Sequence, residues 1–434
     1  MGKIAKAISL IICILAVISF IFFSGCKEAK IFKGKTVLRA AYWGDIKEVE
    51  IIKNSVKRFK EKNPGIEVQL EKLPAGDAYI EKMLTQIAGG NPPDVMFVNA
   101  ERFIVFAEKG VLLPLNDFVK KDNFPVNKYY KKIIDKFTVN GNLYALPRDI
   151  APICVVYYNK DLFDKAGVKY PKNDWTWDDL LNKARKLTKG EDEKKIFGYA
   201  DDWPIWDAWV LSNGGKYVDD IKKPTKCLLD SKESLQALKF RQDLIYKYKV
   251  MPSPSNMSAM GGVGASDLFV QGKVAMFHSG IWKSPFFRDI KNFKWDAVMF
   301  PKNPKGKRGF PLSGAGYAVL KTTKYPESAW KLVTYLAGEE GQIELAQTGL
   351  AQPAIIEIAK SKNFIDDNPP KSKAFLLEAV DYGTFQPDIS SWTEILNRHF
   401  WPAMDKVWNG TSKPEEVIPA AVKNINKEFF SGKK

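Results

Sequence analysis

Leu143 to Val168 reads LYALPRDIAPICVVYYNKDLFDKAGV, and its interpretation decides the fold. Asn140-Gly141-Asn142 just before it carries turn chemistry. Leu143, Tyr144, Ala145 and Leu146 then run into Pro147, a residue type that ends strands and stiffens crossings. Pro147 and Pro152 bracket a short rigid passage. Beyond it, Ile153 to Tyr158 is an unbroken β-branched and aromatic run, too short for an uncapped helix and suited to a strand buried on both faces. Asn159 and Asp161 then open a helix. The stretch therefore reads as one strand leaving one domain and entering another.

Upstream of this crossing, Thr36 to Tyr42 reads as a first strand. Glu48 to Asn63 places Ile51, Ile52, Val56 and Phe59 on one helical face, and Ile66 to Leu73 alternates as a second strand. In this βαβ unit Trp43-Gly44-Asp45 falls at the carboxyl end of the first strand, where open α/β sheets gather ligands. Ala78 to Ala88 is a further helix, stopped by Gly89-Gly90-Asn91-Pro92-Pro93. Asp94 to Val98 is a third buried strand, with Asn99, Glu101 and Arg102 at its carboxyl end. The glycines form a turn, since neither a phosphate loop nor a dinucleotide fingerprint follows.

Downstream, Thr176 caps a helix that Asp178 and Asp179 support, and Trp175 and Trp177 staple its start rather than join a site. Asp201 to Trp209, DDWPIWDAW, places Trp203, Trp206 and Trp209 close together, although the spacing of Trp206 and Trp209 also permits a core stripe. Lys232 to Tyr248 is an amphipathic helix, and Pro252 to Gly264 is expected to be a mobile loop rich in Met, Ser and Gly. Asp267 to Met276 leads into Phe277-His278-Ser279-Gly280-Ile281-Trp282. Ser313 to Val319 reads as a strand returning to the first unit, with glycines that let backbone approach a ligand closely. Pro326 to Ala337 is an amphipathic helix, and the remainder to Phe430 reads as helices packed on the second unit.

Several of these passages together resemble the extracellular solute-binding proteins of bacterial carbohydrate importers, the maltose-binding-protein-like family. They are YALP with YYNKDLFDKAGV, GNPPDVMFVNAERF from Gly90 to Phe103, F-x-x-G-K-V-A-M-x-x-x-G-x-W ending at Trp282, and ESAWKL from Glu327 to Leu332. The resemblance implies a two-lobed periplasmic-binding-protein fold of the α/β class, with mixed sheets flanked by helices and a hinge between lobes. Lobe 1 would comprise 36–147 and 315–350, and lobe 2 would comprise 152–310 and 360–430. The crossings would be 148–151, 311–314 and 351–359. It also implies a monomeric receptor, neither an enzyme nor dependent on a cofactor or metal, which binds an oligosaccharide between its lobes and delivers it to the membrane subunits of an ABC importer. By the same resemblance Glu101 bonds sugar hydroxyls, Trp282 stacks on the sugar, and Trp392 aligns with another stacking position where loop lengths differ.

A sugar offers a face of C–H bonds and a rim of hydroxyls. Aromatic rings match the first, and carboxylates, amides and Arg forks match the second. The expected ligand-binding set is Trp43, Asp45, Asn99, Glu101, Arg102, Asp149, Trp206, Trp282, Gly314 and Trp392. Arg102 and Arg148 near the cleft motivate an alternative, an acidic sugar or sugar phosphate. A second alternative, a cell-surface glycosidase, would take its two carboxylates from Asp45, Glu101 or Asp149. His278 and His399 are far apart and sit in no metal or triad motif.

The chain's 434 residues, 45% of them hydrophobic, suffice for two lobes with cores of their own. Residues 1–25 read as an export signal: Lys3 and Lys6 precede an apolar run from Ile8 to Phe23 that is shorter than the about 20 residues of a membrane span. Phe23-Ser24-Gly25-Cys26 resembles a bacterial lipobox. It implies lipidation of Cys26, a tether over 26–35 and an extracytoplasmic protein anchored to the outer face of the membrane. Only Cys154 and Cys227 remain beyond that point, too few for a disulfide framework, and Cys154 reads as a small core hydrophobe. The net charge of +16 usually suggests an anionic partner. Here the lysines are scattered along amphipathic helices with no nucleic-acid motif, which favours a solvated surface facing an anionic envelope.

Overall fold

The computed structural model describes residues 34–431. The export signal over 1–25, Cys26 and all but the end of the 26–35 tether lie outside the described residues. Two main sheets carry the two lobes. The first has the strand order Ile66–Lys72, Thr36–Tyr42, Val95–Asn99, Ala315–Val319, Ala145–Pro147; its first three strands run parallel and Ala315–Val319 antiparallel to its neighbours. The second has the order Trp295–Met299, Val155–Asn159, Met276–Ser279, Ala200–Asp201. A small sheet of Gly383–Thr384, Phe310–Ser313 and Ala151–Pro152 completes the crossings.

The opening stretch thus supplies one strand to each sheet. Ala145–Pro147 ends the first, Ala151–Pro152 edges the small sheet, and Val155–Asn159 lies inside the second, buried throughout. Both prolines sit at sheet edges, where a missing N–H leaves no ladder partner wanting. The Asn159 side chain accepts from Leu162 N at 3.0 Å and caps the helix Lys160–Ala166. Just upstream, Asn140 and Gly141 both adopt positive φ, 50° and 79°, and close the hairpin of Thr138–Val139 with Asn142–Leu143.

The return passage differs from the single strand expected over Ser313 to Val319. Phe310–Ser313 belongs to the small sheet and Ala315–Val319 to the first sheet, with Gly314 between them. At Gly314 φ is 155°, and a Cβ would lie 2.7 Å from the Asp149 carbonyl oxygen. The outgoing and returning crossings therefore touch backbone to backbone at this glycine.

The helix Ile46–Lys62 buries Ile52, Val56 and Phe59 against the first sheet. Ile51, expected on that face, instead packs beside Leu345, Leu350 and Ala351. Pro252 to Gly264 is not wholly a loop: Pro254–Ala259 is helical, because Ser253 and Asn256 bond reciprocally as a capping box and Pro254 presets the first turn. Thr176 caps Trp177–Leu187 in the same way with Asp179. Trp175 and Trp177 are buried, and the Trp175 indole donates to the Met299 carbonyl at 2.7 Å. Cys154 and Cys227 are buried and unbridged. Among the described residues no helix is long and apolar enough to cross a membrane, and no three His, Cys, Asp or Glu gather as a metal site.

Gly314→Ala places a methyl against the Asp149 carbonyl. The expected cost is about 1–3 kcal/mol, read as a lower urea midpoint with an unchanged denaturant slope.

Candidate functional site

The first lobe brings its residues to the carboxyl ends of two adjacent parallel strands. Trp43 directly follows Thr36–Tyr42; its half-buried ring lies 4.4 Å from Phe97 and edge-on to Tyr79 at 4.6 Å. Asn99 is the last residue of Val95–Asn99, half-buried and paired in register with Ala315. Glu101 follows two residues later. Its Oε2 is buried and has no hydrogen-bond partner among the described residues. Burial raises its pKa, against the Ser313 hydroxyl and the nearby Arg102 and Lys136 charges, which favour the ionised form.

The second lobe answers with aromatic rings and a buried acid. Met276–Ser279 runs into Gly280, where a Cβ would lie 2.0 Å from the Trp282 ring. Only glycine lets that ring fold back over the backbone. Trp282 is half-buried, stacks on Trp203 with centroids 6.1 Å apart and planes 13° from parallel, and also contacts the Leu345, Leu350 and Ala351 cluster. Trp203 is 39% exposed. Beside this pair Asp202 accepts from the Ser279 hydroxyl at 3.0 Å and pairs with Lys283 at 3.1 Å.

Trp206 opens the helix Trp206–Ser212, and Asp207 follows it. The Tyr217 hydroxyl donates to Asp207 Oδ2 at 2.9 Å. Burial pushes the Asp207 carboxyl up to about 6, and the negative charge of Glu101 adds to that rise. Glu101 also raises the pKa of Tyr217, after burial and Asp207. One acid from each lobe therefore shares the same space, and Lys136, paired with Asp388, lies close enough to act on Glu101.

The remaining expected residues fall into two groups. Trp206 and Trp392 are each 3% exposed and pack with Tyr217, at 5.9 and 6.1 Å, and Trp206 also meets Phe400 at 4.6 Å. Both are wall rather than surface. The others are engaged internally. Asp45 caps the helix Ile46–Lys62 by accepting from Glu48 N at 2.9 Å. Arg102 is paired with Asp77 at 2.7 Å. Asp149 accepts from Arg148 Nε at 2.6 Å and from Ala315 N at 3.0 Å. Arg148 is buried, bonds Glu48 at 2.8 Å, and lies 4.3 Å from the Phe97 ring centroid. The Gly314 carbonyl accepts from Ala100 N at 2.8 Å.

Sequence reasoning did not single out Asp207, Tyr217, Asp202 or Glu48. The first and third lie in the DDWPIWDAW passage, where the tryptophans drew the attention. His278 is fully buried, and burial pushes its pKa down to about 3, so its ring stays neutral. His399 is paired with Glu428 at 2.7 Å, away from these groups. The arrangement presents a stacked indole pair, a free buried carboxylate oxygen and a protonatable acid. That set suits a polyhydroxylated ligand with an apolar face.

Comparison with known proteins identifies the family. Residues 43–343 match the profile of the bacterial extracellular solute-binding proteins. The arabinooligosaccharide-binding protein of Halalkalibacterium halodurans is 24% identical over 332 residues, spanning 74% of this chain and 72% of its own. The maltodextrin-binding protein of Bacillus subtilis is 25% identical over 334 residues, 74% of this chain and 71% of its own. Among solved structures, an ABC substrate-binding protein of Listeria monocytogenes in complex with cycloalternan superposes with a TM-score of 0.82. It shares 31% identity and covers 91% of this chain and 98% of its own.

The raised pKa of Asp207 has a sign that can be tested. Its folded value, about 6, exceeds the ordinary 3.8, so the folded state holds the proton more tightly. The associated stability is full below the ordinary pKa and is lost as pH rises through about 6. Asp207→Asn should flatten the fall in unfolding free energy across that window by about 3 kcal/mol, measured by urea unfolding at stepped pH. Identical slopes in the two proteins would contradict the assignment.

Proposed function

The chain belongs to the bacterial extracellular solute-binding proteins, and from that premise we propose that it is a receptor for a neutral oligosaccharide, held between its lobes and passed to an ABC importer. Members of this family bind solutes and do not transform them, so a glycosidase role falls away. The single observation that carries the reading is the Trp282–Trp203 stack set in one lobe, with the Glu101 carboxylate, Oε2 unpartnered, brought from the other. The stack offers a platform for a sugar's C–H face, and Glu101 an acceptor for its hydroxyls. The named ligands of the similar proteins, arabinooligosaccharide, maltodextrin and cycloalternan, support the same class.

The charges at the site favour a neutral sugar over an acidic one. Arg102 is committed to Asp77, and Arg148 to Asp149 and Glu48. The groups left to meet the ligand are Glu101 and Asp207, which repel a uronate or phosphate. We further propose that residues 1–25 export the chain, that Cys26 carries a lipid anchoring a monomer to the outer face of the membrane, and that the importer's membrane subunits recognise the closed form. The lobes would divide as 36–147 with 315–350 and 152–310 with 360–430. That division follows the strands, since the crossings 148–151 and 311–314 lie in or beside the small sheet.

Titrating the full chain with neutral oligosaccharides while following tryptophan fluorescence should give saturable change, with each sugar recovered intact. Trp282→Ala should weaken the best ligand by about 2 kcal/mol, roughly thirtyfold. Affinity unchanged in Trp282→Ala would remove the platform from the site. Tighter binding of oligouronides than of neutral sugars would reverse the charge argument.

A further inference from the structure

Trp282 and Arg288 leave the second lobe on one short segment and meet the same helix end in the first. Past Met276–Ser279 the chain makes a tight turn over Ile281–Lys283 and the short helix Ser284–Phe287, which Arg288 ends. The Trp282 ring packs against Leu345, Leu350 and Ala351, and Arg288 Nη1 donates to the Thr348 carbonyl at 2.6 Å. These four partners lie in the helix Glu339–Thr348 or directly after it. That helix is fixed to the first lobe, since Gln342 donates to the Pro147 carbonyl at 3.0 Å and Glu344 accepts from the Ser55 hydroxyl at 2.6 Å. Arg288 is fixed to the second. Its Nε donates to the Pro369 carbonyl at 2.9 Å, and the loop of Pro369 is tied to the strand Trp295–Met299 by the Ser372 hydroxyl, which donates to Asp296 at 3.1 Å.

The helix end is shaped to receive a guanidinium. The Leu345 carbonyl accepts from the Thr348 hydroxyl at 2.6 Å and the Ala346 carbonyl from Gly349 N at 3.0 Å, while the Thr348 carbonyl faces Arg288. A helix carboxyl terminus also carries partial negative charge, which a cation complements. Gly349 makes the room. Its φ is 72°, and a Cβ there would lie 2.4 Å from Arg288 Nη2, an atom that is buried with no hydrogen-bond partner among the described residues. Arg102, Arg148 and Arg241 are each bonded to a carboxylate of their own lobe. Arg288 is committed instead to two backbone carbonyls, one in each lobe. Beside it, Asp289 lies 3.7 Å from Lys47 of the first lobe, an exposed pair that adds little.

We infer that Arg288 is a positioning residue for ligand retention: without touching the sugar, it latches the Trp282 segment onto the end of the helix Glu339–Thr348 and so slows release. This inference rests on the oligosaccharide-receptor reading and on the division into lobes given with it. Separating the lobes breaks the bond to Thr348 and removes the apolar backing of Trp282 in one movement. The latch therefore raises the barrier to opening, and its contribution falls on the dissociation rate rather than on the association rate.

The test is stopped-flow tryptophan fluorescence on the full chain with the neutral oligosaccharide that binds wild type best. Arg288→Ala should speed dissociation about tenfold with association unchanged. Arg288→Lys keeps a cation at the helix end and should recover about half of that loss on a logarithmic scale. Gly349→Ala pushes the guanidinium away from the first lobe's side and should speed dissociation in the same direction, which keeps the test open if Arg288→Ala does not fold. Dissociation unchanged in the variants that fold, or a loss that falls on association, overturns the latch and leaves the receptor reading standing. An Arg288→Lys rate equal to that of Arg288→Ala also overturns it. Failure of every neutral oligosaccharide to bind wild type overturns the receptor reading itself.

Discussion

The structure depends on the buried charges of Glu48, Arg148 and Asp149. Arg148 donates to both carboxylates, at 2.8 and 2.6 Å, while Asp149 also accepts from Ala315 N and Arg148 lies over Phe97. These contacts join the outgoing crossing, the returning crossing, the start of the helix Ile46–Lys62 and the ring that supports Trp43. Burying such charges costs several kcal/mol per ion unless each is paired and bonded. Here they are, so the arrangement has one low-energy geometry and fixes how the crossings meet. Gly314 completes it, because a Cβ there would press on the Asp149 carbonyl.

With the crossings fixed, each lobe presents a different half of the chemistry. The first brings Glu101 from the end of a parallel strand, and the second brings Trp203 and Trp282 from beyond two neighbouring strands, Ala200–Asp201 and Met276–Ser279, that run parallel to each other. Neither half alone forms a site with an apolar face and an acceptor rim. A ligand that engages both gains only when the lobes approach, and differential affinity of this kind is what drives hinge closure.

Much of the fold was legible in the sequence because it is written in local rules. Pro147, Pro152 and the run after them marked the crossing, Asn159 and Thr176 marked helix starts, and Asn140-Gly141 marked a turn. Gly314 was noticed as a point of close approach, but what approaches it is the Asp149 backbone. The site was less legible, since side-chain commitment is a tertiary property. Asp45 and Asp149 carry the right chemistry in the right place, yet one caps a helix and the other holds a crossing. Trp206 and Trp392 obey the helical stripe that makes them core, a possibility the spacing of Trp206 and Trp209 already contained. Asp207 could not be ranked from sequence, because its raised pKa comes from burial and from an acid more than a hundred positions away. The helix Pro254–Ala259 was hidden by its Met- and Ser-rich composition, although Ser253-Pro254 is itself a helix-start signal.

The account's central claim is that a neutral oligosaccharide bridges Glu101 and Trp282 and draws the lobes together. Small-angle X-ray scattering of the full chain, free and saturated with an oligosaccharide shown to bind, tests it most directly. The account predicts a smaller radius of gyration on saturation, lost in Glu101→Ala at the same sugar concentration. A radius unchanged by bound sugar, or a decrease that survives Glu101→Ala, would contradict it.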